Sequence, residues 1–200
     1  ARDAGSLTIM DTVTSLAGIA VEIDAWGADA TYSGTQKCIS CPPGLSPVTF
    51  SRRAIEAVKA RKTKVQSWFL DLNLVLAYWD GDGGRSYHHT APVNALYGLN
   101  EALTMVEDEG LENAWARHAQ THNALRAGTE AMGLTFLVDP AYRLPQLNTV
   151  FIPNGLDDAA ARGALLRNHG IEIGAGLGPF AGKIWRIGLM GESSRINHVL

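Results

Sequence analysis

Lys37 stands in Ser33-Gly34-Thr35-Gln36-Lys37, just past a short strand-like run and ahead of Pro42-Pro43-Gly44. Ligand sites of open α/β sheets gather at the carboxyl ends of strands. A lysine there, flanked by small residues, loses part of its hydration, which favours the neutral, nucleophilic amine. Asp11 closes the apolar run Leu7-Thr8-Ile9-Met10 and so occupies a second strand end. A carboxylate buried at such a place needs a cation or a hydrogen-bond donor. A pyridinium nitrogen is one such partner, and an acid on that nitrogen with a lysine forming the Schiff base is the pair that pyridoxal phosphate chemistry requires. Arg186 lies inside the apolar stretch Ile184-Trp185-Arg186-Ile187-Gly188. Its planar fork matches the carboxylate of an amino or oxo acid bidentately. Taken singly, each residue has a plainer reading: a surface-loop lysine, a turn or cap aspartate, a structural salt bridge.

Strands must carry these residues, and the first fifty positions supply short ones. Leu7 to Met10 has the pattern of a buried parallel strand, Ile19 to Ile23 is a second run, and Ala30-Thr31-Tyr32-Ser33 and Pro47-Val48-Thr49-Phe50 follow. Gly18, Gly27, Gly34 and Pro42-Pro43-Gly44 separate them as turns. From Ser51 the period changes to helical. Ser51 caps a helix to about Arg61, Asp71 opens a second with Leu72, Val75, Leu76 and Trp79 at helical spacing, and Thr90-Ala91-Pro92 introduces a long third. That third helix carries Val93, Leu96, Leu99, Leu103 and Val106 on one stripe, and Gly110 breaks it before a fourth helix running to Met132. After Gly133 come strands at Leu134–Val138 and Thr149–Ile152, then a helix from Asp157 to Asn168 closed by His169-Gly170. Ile171-Glu172-Ile173 and Lys183 to Ile187 are two more strands around the glycine-rich loop from Gly174 to Gly182. A boundary near Gly110 divides the chain into residues 1–110 and a smaller α+β unit, 111–200.

Composition narrows the class. The chain has 200 residues, 46% hydrophobic and 18% charged, which excludes disorder, collagen and coiled coil. A net charge of -3 without a basic stripe argues against nucleic acid as a partner, and no apolar run is long enough to span a membrane. The first ten residues lack the basic start and apolar core of a secretory signal, and two cysteines exclude a disulfide framework. The expectation is a soluble intracellular chain of mixed α/β class, with the cytoplasm as its compartment and peroxisome and mitochondrion left open.

Asp11-Thr12-Val13-Thr14-Ser15-Leu16-Ala17-Gly18, Asp24-Ala25-Trp26-Gly27-Ala28-Asp29, Tyr32-Ser33-Gly34-Thr35-Gln36-Lys37 and Pro42-Pro43-Gly44 occur in register with Tyr87-His88-His89-Thr90-Ala91-Pro92, Gly176-Leu177-Gly178-Pro179 and Gly182 to Gly188. Together they resemble the class V aminotransferases, with the best match to the alanine–glyoxylate and serine–pyruvate group. The resemblance implies part of a fold-type I large domain, whose sheet is mainly parallel, followed by a small C-terminal α+β domain. It implies pyridoxal phosphate as cofactor. Lys37 resembles the Schiff-base lysine, which also shuttles a proton at the substrate carbon. Asp11 resembles the pyridine-nitrogen partner, and Val13 the residue packed on the ring. Gln36 resembles a phosphate contact. Tyr87 and Thr90 resemble residues that reach the neighbouring subunit's cofactor phosphate, which implies a homodimer with a shared site. Arg186 resembles the arginine for the substrate carboxylate. The implied activity is ping-pong transfer of an amino group from alanine or serine to glyoxylate or pyruvate. Rival readings are a phosphonate aminotransferase, a cysteine desulfurase-like enzyme, or a catalytically silent piece kept for dimerisation.

Other patterns are set aside. Cys38-Ile39-Ser40-Cys41 has redox spacing but no second pair and no helix to activate it. His118 and His122 share a helix face without a third metal ligand and read as exposed; His88 and His89 are adjacent in an extended segment and should point apart. The Gly174–Gly178 loop lacks a following helix to aim at a phosphate, and suits backbone approach to substrate beside Arg186. Nothing before Asp11 supplies the family's Ser/Gly-rich phosphate turn or its stacking aromatic. The chain therefore reads as a piece of one roughly twice as long, with an exposed sheet edge, poor solubility and little or no cofactor binding expected of it alone.

Overall fold

A computed structural model describes residues 2–80 and 86–200. Strands β1 (Ile9–Asp11), β2 (Ala30–Tyr32) and β3 (Val48–Phe50) form one sheet in the order β1-β2-β3. β1 and β2 run parallel, with Asp11 opposite Tyr32, and β3 returns antiparallel. Parallel pairing puts the ends of β1 and β2, and the turns that follow, at one edge of the sheet. Helices α1 (Arg52–Lys59) and α2 (Leu72–Asp80) come next, then α3 (Val93–Glu109) and α4 (Leu111–Ala131). β4 (Leu147–Phe151), α5 (Asp158–His169), β5 (Gly174–Ala175) and β6 (Ile184–Gly188) complete the chain, with the second sheet ordered β4-β6-β5 and antiparallel throughout.

The caps are where side-chain chemistry predicts them. Ser51 Oγ accepts from Ala54 N at 3.1 Å and donates to the buried Asp29, so one hydroxyl starts α1 and ties it to the residue that precedes β2. Asp157 Oδ1 accepts from Ala160 N at 2.7 Å, and Gly170 ends α5 in the left-handed region at φ 66°. Gly110, at φ 81°, separates α3 from α4.

Four expectations about strands need correction. β1 is not buried: Ile9 is 72% exposed, because β2 covers one edge of the strand and nothing described covers its face. The Ile19–Ile23 run forms no strand; the segment turns, with Trp26 N donating to Glu22 O, Ala28 N to Ile23 O and Ile19 N to Ser15 O, so these backbone groups are satisfied locally. Leu134–Val138 contributes only a single bridge, Phe136 to Val150. The strand expected at Ile171–Ile173 forms three residues later, at Gly174–Ala175, where β6 offers Arg186 and Trp185 as ladder partners. The apolar stripe of α3 is also only half used. Ala102 is buried and Leu99 and Val106 pack on the core, while Val93, Leu96 and Leu103 remain exposed.

The core of the first half lies directly behind the lysine turn. Cys38, Ile39 and Cys41 are buried together with Ala17 and Ala102, and Leu16, Leu99, Val106 and Met190 pack around them. Three of the four residues after Lys37 are therefore anchors that hold its turn against α3.

Candidate active site

Asp11 is the last residue of β1, and the second backbone amide past the strand end reaches back to it. Val13 N donates to Asp11 Oδ1 at 2.8 Å, and the Tyr32 hydroxyl, from the register partner on β2, donates to Oδ2 at 2.7 Å. Both donors stabilise the charged form, the backbone bond more, and hold the carboxyl below its ordinary range; the same contact pushes the Tyr32 phenol up. The carboxylate is exposed, not buried as its strand-end position suggested. It stays ionised through hydrogen bonds, with a face open to accept another donor. Tyr32 is a site residue that the sequence reading missed. Its signal was available, since it ends β2 as Asp11 ends β1.

The following turn is built mostly from its own backbone and hydroxyls. Ser33 Oγ donates to Thr12 O at 2.9 Å and Thr12 Oγ1 to Tyr32 O at 2.8 Å, stitching the two strand ends together. Thr35 is fully buried, its hydroxyl between the carbonyls of Pro42 and Leu45, and Cys41 N donates to Thr35 O. Ser40, at φ 65°, lets Ser40 N donate back to Lys37 O. Lys37 is left half-buried and the Gln36 side chain exposed, lying over Gly34 so closely that a Cβ there would meet Gln36 Oε1 at 2.7 Å. A cavity of about 600 Å³ opens beside them, lined by Gln36, Lys37, Ser40, Met190, Glu192 and His198 among others. Lys37 forms no ion pair among the described residues, so its amine is available.

The remaining predicted residues sit elsewhere. Val13 is half-buried at the start of the turn after β1. Tyr87 and Thr90 lie on the segment leading into α3, their hydroxyls 2.6 Å apart and both side chains exposed. Arg186, in the middle of β6, donates from Nε to Ala175 O at 2.8 Å. Its guanidinium lies along Gly174, where a Cβ would come within 3.3 Å, and no carboxylate pairs with it among the described residues. The structural salt bridge considered for it is thus not made. None of Arg186, Tyr87 and Thr90 lines the cavity beside Lys37. The structure brings together Asp11 with Tyr32, Gln36 with Lys37, and Tyr87 with Thr90; Asp11 and Val13 do not line that cavity either.

The glycine loop also has a steric reason. A Cβ on Gly176 would come 2.0 Å from Phe180 O, so the loop folds on itself rather than opening toward a phosphate. The histidines differ from expectation. His118 is fully buried rather than exposed, and His122 reaches Asn148 Oδ1 at 2.6 Å. His88 and His89 do not point apart; their Nδ1 atoms are 2.8 Å from each other, with His88 stacked on Trp68 at 4.2 Å between ring centroids. Cys38 and Cys41 are buried free thiols, and burial pushes Cys38 up to about 11, which leaves it protonated and inert.

The donor set suits pyridoxal phosphate: an ionised carboxylate with an open face for a protonated ring nitrogen and an unpaired amine at the same sheet edge. Among known proteins the chain is 44% identical over 187 residues to the alanine–glyoxylate aminotransferase of Callithrix jacchus, covering 92% of this chain and 45% of that protein. It is 38% identical over its whole length to the (S)-ureidoglycine–glyoxylate transaminase of Bacillus subtilis, covering 52% of that protein. The chain thus spans about half the length of the curated relatives it matches. Among solved structures, alanine–glyoxylate aminotransferase from Nostoc sp. superposes over 99% of this chain and 52% of its own with a TM-score of 0.94 and 50% identity. Pyridoxamine–pyruvate aminotransferase from Mesorhizobium loti superposes over 99% of this chain and 50% of its own with a TM-score of 0.90 and 32% identity. The fold is that of the fold-type I pyridoxal-phosphate transferases. Residues 1–183 match the class-V aminotransferase family, to which this chain belongs.

Proposed function

We propose that this chain is the lysine-bearing part of a pyridoxal-phosphate aminotransferase that moves an amino group from a small amino acid, alanine or serine, to glyoxylate or pyruvate in two half-reactions. The observation that carries this is the ionised Asp11, fixed by Val13 N and Tyr32, at the same sheet edge as the unpaired Lys37. Bound there, the cofactor supplies an electron sink and a temporary carrier for the amine. Asp11 keeps the ring nitrogen protonated, Val13 packs against the ring, and Gln36 contacts the phosphate. Lys37 anchors the cofactor and then moves the proton at the substrate α-carbon, a general acid–base role for a neutral amine. Arg186, whose terminal nitrogens pair with no carboxylate among the described residues, takes that of the substrate. Tyr87 and Thr90, exposed and hydrogen-bonded to each other, face a second subunit's cofactor phosphate in a homodimer. Residues 1–110 belong to the cofactor-binding domain and 111–200 to the small domain.

Relatives named for alanine and for ureidoglycine both support glyoxylate as acceptor. The desulfurase alternative loses ground, because it needs a reactive thiolate on an accessible loop and both cysteines are buried. In the intact protein, Lys37→Ala is expected to abolish the visible absorbance of the bound cofactor together with transamination. Persistence of both would overturn the reading. Arg186→Ala is expected mainly to raise KM for the amino acid.

A further inference from the structure

The fully buried His118 has both ring nitrogens engaged. Nδ1 lies 2.6 Å from Ala114 O, which can only accept, so Nδ1 carries the proton. Nε2 is then the lone-pair nitrogen, and Gly191 N donates to it at 2.9 Å. The same face of α4 takes the rest of the Gly191–Ser194 turn. Arg117 NH1 donates to Gly191 O at 2.7 Å and Ser194 O at 3.0 Å, while its Nε and NH2 grip Glu109 at 2.5 and 2.7 Å. Thr121 Oγ1 gives its single proton to the carbonyls of Arg117 and His118, so Ser194 Oγ donates to it across 2.7 Å.

The other side of that turn rests on the lysine turn. Gly191, at φ 58°, approaches so closely that a Cβ would lie 2.0 Å from Ser40 Oγ, 3.0 Å from Cys38 O and 3.1 Å from Lys37 O. Glu192 N donates to Ser40 Oγ at 2.7 Å. One chain of contacts therefore runs from α4 through Gly191 to the backbone of Lys37. We propose that His118, with Arg117 beside it, is a positioning residue that holds the Gly191–Ser194 turn against the Lys37–Ser40 turn and so fixes the origin of the Lys37 side chain. This rests on the reading of Lys37 as the reactive lysine. The small unit then sets the geometry of a residue in the turn between β2 and β3.

The test follows Lys37 without cofactor. The intact protein, stripped of pyridoxal phosphate, is reductively methylated with formaldehyde and cyanoborohydride, and the Lys37 peptide is followed by mass spectrometry. Exposed Lys59, Lys62 and Lys64 serve as internal references. His118→Phe keeps the bulk but not the acceptor, and His118→Gln keeps an acceptor that reaches Gly191 N without titrating. Losing a buried hydrogen bond should change the Lys37 rate about fivefold or more in His118→Phe, with the reference lysines unchanged and His118→Gln within about twofold of the parent. In the loaded enzyme the same variant should lower kcat with KM little moved. A Lys37 rate equal to the parent's, or a change shared by all lysines, overturns the proposal. If His118→Phe fails to fold, Arg117→Lys and Ser194→Ala cut other attachments of the same turn, and an unaltered Lys37 in both overturns it equally. Because the labelling needs no cofactor, its outcome is separate from failure of transamination itself.

Discussion

The two sheets share a chain but not a way of being stable. In the first, Ile9, Tyr32, Val48 and Phe50 are all exposed. Its interior contribution comes from the turn beyond it, where Cys38, Ile39 and Cys41 are buried. In the second, Val150 is completely buried and Ile184 and Trp185 nearly so, and the Trp185 indole donates to Asp158 on α5 at 2.9 Å. Of the residues suited to cofactor chemistry, Asp11 ends a strand of the open sheet and Lys37 lies in the turn between β2 and β3. Asp11 is held within that sheet by Val13 N and Tyr32, whereas the Lys37 turn is braced from the closed half, through Gly191. Chemistry and rigidity are thus supplied by different regions, and the contact between them carries the coupling.

The sharpest way to break that coupling is at Gly191. In Gly191→Ala the new Cβ meets Ser40 Oγ, Cys38 O and Lys37 O in a left-handed backbone conformation. The expected cost is about 3 kcal/mol or more, measured by denaturant unfolding. Adding Ser40→Gly should recover only part, since the two backbone carbonyls remain in the way. A Gly191→Ala protein as stable as the parent would mean that the two turns do not bear on each other.

Val150→Ala comes next. The side chain has no solvent exposure and sits between Phe136 and Trp185 across the ladders, so its truncation should cost about 2 kcal/mol. A cost near zero would show that the second sheet is not the tightly packed one.

Protonation of His118 gives a graded test of the same join. Burial of the imidazole holds it below its ordinary value of 6.5, with Arg117 acting in the same direction and the Ala114 carbonyl and Glu109 opposing. The unfolded chain then binds the proton more readily than the folded one between these two values. Stability is therefore full above about pH 6.5 and falls as pH drops, by up to about 1.4 kcal/mol per unit, until the folded-state value is passed. His118→Gln should flatten that part of the profile. Glu109 adds a separate loss at lower pH, because its hydrogen bonds to Arg117 hold it below 4.5.

The sequence made some of this legible and hid the rest for identifiable reasons. Ser51, Asp157 and Gly170 act locally, so their caps could be read from residue type alone. Asp11 was legible as a strand-end residue, while Lys37 lies in the turn beyond the end of β2; the Val13 partner of Asp11 is local, but its Tyr32 partner depends on register. His118 was misread because its stretch, Trp115-Ala116-Arg117-His118-Ala119-Gln120-Thr121-His122, looks like a polar helix face. Much of that face is buried nonetheless, since Arg117, His118 and Thr121 find partners on α4 itself, on Glu109 of α3 or on the Gly191–Ser194 turn more than seventy positions away, and His122 finds Asn148. Hydrophobic periodicity has no access to such a contact. The Ile19–Ile23 run failed for the converse reason: apolar content without a neighbouring strand left the Glu22 and Ile23 carbonyls to close turns.

The smallest effect expected is at Ile9, and it bears most directly on the comparison. Ile9 is β-branched and apolar, in a strand paired on one edge, and by type alone it should resemble Val150. Its exposure means that truncation removes little buried area and leaves no cavity, so Ile9→Ala in the 200-residue chain should cost less than about 0.5 kcal/mol. The measurement is the denaturation midpoint of both alanine variants under one set of conditions. Equal losses at Ile9 and Val150 would mean that the first sheet is covered in solution, for instance by self-association through its open face. That would make its loss depend on protein concentration, whereas the loss at Val150 should not. The pair of variants therefore separates a sheet that is open from one that has merely found a cover.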